Sequence, residues 1–92
     1  MEIKFTSHAK LKMEERFIRQ EDVIKIINEP EEILLDIETG NIIVTGAMGN
    51  RSGHKLIIVL SGDMERVITI IDTSKSDIIS KRKERARWIK IQ

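Results

Sequence analysis

The spacing of apolar residues changes at Pro30, and that change limits the folds open to this chain. Before the proline, apolar side chains recur every three or four residues: Ala9, Met13 and Phe17, then Val23, Ile24 and Ile27. Such spacing lines one side of a helix. After it, residues 33–38, 42–44, 55–60 and 66–72 form short runs rich in isoleucine and valine, separated by turn residues. β-branched side chains suit a pleated, half-buried surface, so these runs read as strands.

The helical part has legible ends. Ile3 and Phe5 alternate with Lys4 as a short first strand. Thr6 or Ser7 then caps a helix reaching to about Arg16, with Ala9, Met13 and Phe17 toward a core. A second helix runs from about Gln20 to Asn28, its buried stripe being Val23, Ile24 and Ile27. Glu21 and Asp22 sit in its first turn, where the helix dipole favours anions. Pro30 stops it, because the residue before a proline is pushed out of the helical region. The expected fold is α+β in the order β-α-α-β-β-β. Two N-terminal helices pack on a twisted antiparallel sheet, followed by a basic C-terminal helix. That last helix opens at Ser76 or Asp77 and carries Ile78, Ile79, Arg82, Ala86 and Ile89 on one side; residues 88–91 also alternate as an edge strand would.

Ninety-two residues make one domain, with a core over about 1–72 and a basic extension over 73–92. There is no cysteine, which removes disulfides and thiolate metal sites and suits a reducing cytoplasm. No apolar run reaches the ~20 residues of a membrane span. Charge is uneven: residues 1–40 balance to −4 and residues 41–92 to +5, within a net +1. Lys75, Lys81, Arg82, Lys83, Arg85, Arg87 and Lys90 crowd the last eighteen residues. Such a cluster attracts polyanions such as RNA, or forms the solvated side of an amphipathic tail.

His8-Ala9, Met13, Glu15-Arg16 and Ile18, then Asp22-Val23 and Pro30, together with the element order, resemble a prokaryotic family of small domains of unknown function. Those domains are similar to the RelE/ParE toxin superfamily. The resemblance covers roughly residues 5–72 and departs from the pattern at Phe17, where the family usually has glycine. It implies a RelE/ParE-like fold and a toxin of a toxin–antitoxin pair, with an antitoxin protein as partner. RelE-type relatives cut messenger RNA on the ribosome without a metal, whereas ParE-type relatives act on gyrase. Many RelE relatives use a tyrosine, and this chain has none.

Metal-free RNA cleavage needs an acid or base near neutral pH and several cations around the phosphate. His8, Lys12, Arg16 and His54 are the candidate catalytic residues. Histidine has the intrinsic pKa for proton transfer, and Lys12 and Arg16 stand one helical turn apart. Each also has a structural reading: His8 as a capping or folding residue, and Lys12 and Arg16 as partners of neighbouring acids. Arg51, Lys55, Lys81, Arg82, Arg85 and Arg87 are the candidate RNA-binding residues, the first two around the glycine-rich loop before residue 55. The scattered acids and two histidines lack the spacing of a metal site, so no metal or cofactor is expected. The alternative is a non-catalytic RNA- or protein-binding module of the same fold. Ile78, Ile79, Ala86 and Ile89 dock the tail on the sheet or on a second copy of the chain.

Neutralising Arg82, Arg85 and Arg87 to glutamine is expected to flatten the salt dependence of RNA binding by about two units of slope. Parallel slopes for wild type and variant would make the tail structural.

Overall fold

The computed structural model describes residues 3–47, 53–73 and 87–91. Along the chain the elements are β1 (Lys4–Phe5), α1 (Ser7–Arg16), α2 (Gln20–Asn28), β2 (Glu32–Asp36), β3 (Ile42–Ala47), β4 (Lys55–Leu60), β5 (Arg66–Thr73) and β6 (Trp88–Lys90). The strands form one sheet in the order β1-β5-β4-β3-β2-β6, and both helices share a core with one of its faces. The fold is α+β. Among the described residues no helix is long and apolar enough to cross a membrane.

Thr6 starts α1 and anchors it. Its side-chain oxygen accepts from the Ala9 amide at 3.1 Å, while its hydroxyl donates to the Ile68 carbonyl of β5 at 2.9 Å. Ala9 and Met13 then point into the core. The helix ends in a reversal: the Ile18 amide donates to the Met13 carbonyl at 2.9 Å and the Phe17 amide to the Glu14 carbonyl at 3.3 Å. This pair of bonds requires a left-handed residue between them, and Phe17 supplies it at φ 56° and ψ 42°. Phe17 was expected in the core with Ala9 and Met13. It is instead 82% exposed, because the reversal swings Ile18 inward in its place.

The buried stripe of α2 also differs from expectation. Val23 and Ile26 are the buried pair, Ile27 packs at the margin, and Ile24 is exposed. Gly46 of β3 explains the rotation. A Cβ at Gly46 would lie 2.6 Å from Cγ2 of Ile26, so α2 rests on β3 through a position with no side chain.

Strands β2 to β5 form an antiparallel meander, with Leu34 opposite Ile43, Ile43 opposite Val59, and Val59 opposite Thr69. Two features depart from the expected order. Five strands follow the helices, and β1 pairs with β5 in parallel, Lys4 beside Arg66 and Phe5 beside Val67. A parallel neighbour cannot be reached by a tight turn, and here the whole helical pair and three strands intervene. Ile89 lies in β6, paired with Leu35, and not on a helix. The expected helical segment over 76–86 lies outside the described residues.

Directly opposed residues of antiparallel strands share a face. Ile42, Val44, Leu56, Ile58, Leu60, Val67 and Ile70 meet Ala9, Met13, Ile18, Val23 and Ile26 on the helix side. Leu34, Ile43, Ile57 and Trp88 form a second cluster on the other side, with Val59 at its edge. A left-handed phenylalanine carries a steric cost that glycine does not, so Phe17→Gly is expected to stabilise the fold by about 1 kcal/mol and raise Tm by roughly 5 °C. Thermal unfolding of the two proteins checks it; a lower Tm would mean that the ring packs usefully where it stands.

Candidate functional site

The β4–β5 hairpin brings together one pair of residues with chemical potential. Its register sets Leu56 opposite Asp72 and Lys55 opposite Thr73. Asp72 therefore leaves β5 on the helix-covered face, and its side chain is only 4% exposed. His54 enters from Gly53, whose positive φ of 77° turns the chain into β4. The imidazole Nδ1 lies 2.8 Å from Oδ1 of Asp72 while the ring side chain stays 38% exposed. A carboxylate without its proton only accepts, so Nδ1 is the donor of this bond; in the neutral ring that tautomer leaves the lone pair at Nε2. A buried carboxylate thus fixes the tautomer and orientation of a half-open imidazole. That is the arrangement of a positioned base.

Lys55 follows directly but leaves the strand on the opposite face, as pleating demands. Its Nζ lies 3.1 Å from Glu31 Oε2, at the same end of the sheet. Three of the remaining candidates lie on α1. His8 is exposed in the first turn of α1, and Arg16 is exposed in its last turn. Lys12 lies 3.8 Å from Glu15 within the same helix. Among the described residues no hydrogen bond or ion pair joins His8 to His54. Arg51, Lys81, Arg82 and Arg85 lie outside the described residues. Arg87 serves the sheet: its Nε is 3.3 Å from Asp36 Oδ2 and 3.2 Å from Glu38 Oε2.

Sequence reasoning passed over Asp72, counting it among scattered acids. The signal was present, since a turn over 61–65 between two strands sets residue 56 opposite residue 72, two positions from His54. Among the described residues no group of three His, Cys, Asp or Glu side chains is placed to hold a metal ion.

A second aspartate organises the far end of the sheet. Asp36 is 4% exposed and accepts from the Glu38 amide at 3.0 Å, from the Trp88 indole at 3.3 Å and from Arg87 Nε at 3.3 Å. Burial opposes its ionisation, but the Glu38 amide, the Trp88 indole and the Arg87 charge together outweigh that and hold its pKa below the ordinary 3.8. The Trp88 and Arg87 bonds fasten β6 to β2, and the Glu38 bond closes the turn after β2. Neither a family model, nor a curated protein, nor a solved structure matches this chain.

The sign of the Asp36 effect follows from its lowered pKa. The ionised form is favoured in the fold, so its contribution is present above pH 3.8 and lost as pH falls through the lowered value. Asp36→Ala leaves three donors without their acceptor and is expected to cost roughly 3 kcal/mol at neutral pH. Between about pH 4 and pH 2 the variant should lose stability less steeply than the wild type. Denaturant titrations across that range measure both effects, and equal acid slopes would remove Asp36 from the account.

Proposed function

We propose that this protein is a toxin-like, metal-independent endoribonuclease acting on messenger RNA in the cytoplasm and held in check by an antitoxin protein. The observation that carries the reading is the His54–Asp72 pair, a half-exposed imidazole aligned by a buried carboxylate at 2.8 Å. The resemblance of the helical segment to RelE/ParE relatives supports it, as does the order of two helices followed by an antiparallel meander.

The chemistry needs no cofactor. Nε2 of His54 takes the proton of an RNA 2′-hydroxyl, and the oxygen attacks the adjacent phosphorus as the bond to the 5′-oxygen breaks. The products are a 2′,3′-cyclic phosphate and a 5′-hydroxyl, the latter protonated by solvent. Asp72 is a positioning residue that keeps Nδ1 protonated and stabilises the imidazolium formed on proton transfer. Lys55 leaves β4 on the other face and pairs with Glu31, so it takes no part in this proton transfer. The second reading is a non-catalytic RNA- or protein-binding module. The engagement of Lys12 and Lys55 by carboxylates favours it, as does the lack of any tyrosine.

Inducing the protein in bacteria and mapping new transcript 5′ ends tests for cleavage, with purified protein and RNA in a chelating buffer as the direct assay. His54→Ala is expected to reduce cleavage by about 10²–10⁴-fold while RNA affinity changes little, and Asp72→Asn to reduce it less. Undiminished cleavage by the His54 variant would sink the assignment of the base. No cleavage by the wild type would favour the binding module.

A further inference from the structure

We draw no further inference here: the strongest candidate, the surface patch of exposed isoleucines Ile37, Ile89 and Ile91 at the β2–β6 end of the sheet, carries nothing because nothing in the structure shows what covers it.

Discussion

Strand β4 is the constraint on which the rest of the molecule depends. Leu56, Ile58 and Leu60 point into the helix-side core, and Ile57 points into the second cluster. All four are fully buried, so one strand ties the two apolar layers together. Burial of each such side chain is worth about 1.5–3 kcal/mol, which makes any slip of β4 by one residue prohibitive. The same fixed register sets where His54 meets Asp72. The geometry of the candidate site is thus inherited from core packing and not from the loop that precedes it.

Two aspartates at opposite ends of the sheet are buried in different company. Asp36 accepts from the Trp88 indole and Arg87 at the β6 end and from the Glu38 amide in the turn after β2. Asp72 is as deeply placed, but the imidazole it holds is partly open to solvent. A carboxylate surrounded by donors is a fastening. A carboxylate beside a half-open imidazole leaves that ring within reach of water.

Much of the layout was legible in residue spacing. The start of α1 at Thr6 and the end of α2 at Asn28 followed from a capping hydroxyl and from Pro30, and the apolar runs after Pro30 became strands, the first of them only to Asp36. Phe17 and Ile24 were misplaced because periodicity locates a stripe only to within one residue and ignores the partner surface. The left-handed reversal at Phe17 and the bare backbone at Gly46 decided which neighbours turned inward. Parallel pairing of β1 with β5 left no local trace, since it joins segments 62 residues apart. The candidate site was half legible: His54 stood out as a titratable residue, while its partner required the hairpin register.

The fastening of β6 also sets the order in which this chain becomes a protein. Asp36 waits for Trp88, 52 residues further along, and Leu34, Ile43 and Ile57 wait for the same indole to complete their cluster. Ribosomes add about 5–20 residues per second, so a nascent chain spends seconds with those side chains uncovered and that carboxylate still hydrated. Pairings this distant in sequence also close slowly, because the intervening loop entropy is lost before the contacts form. The second apolar layer and the Asp36 carboxylate thus share one requirement, that residue 88 reach a strand more than fifty positions behind it.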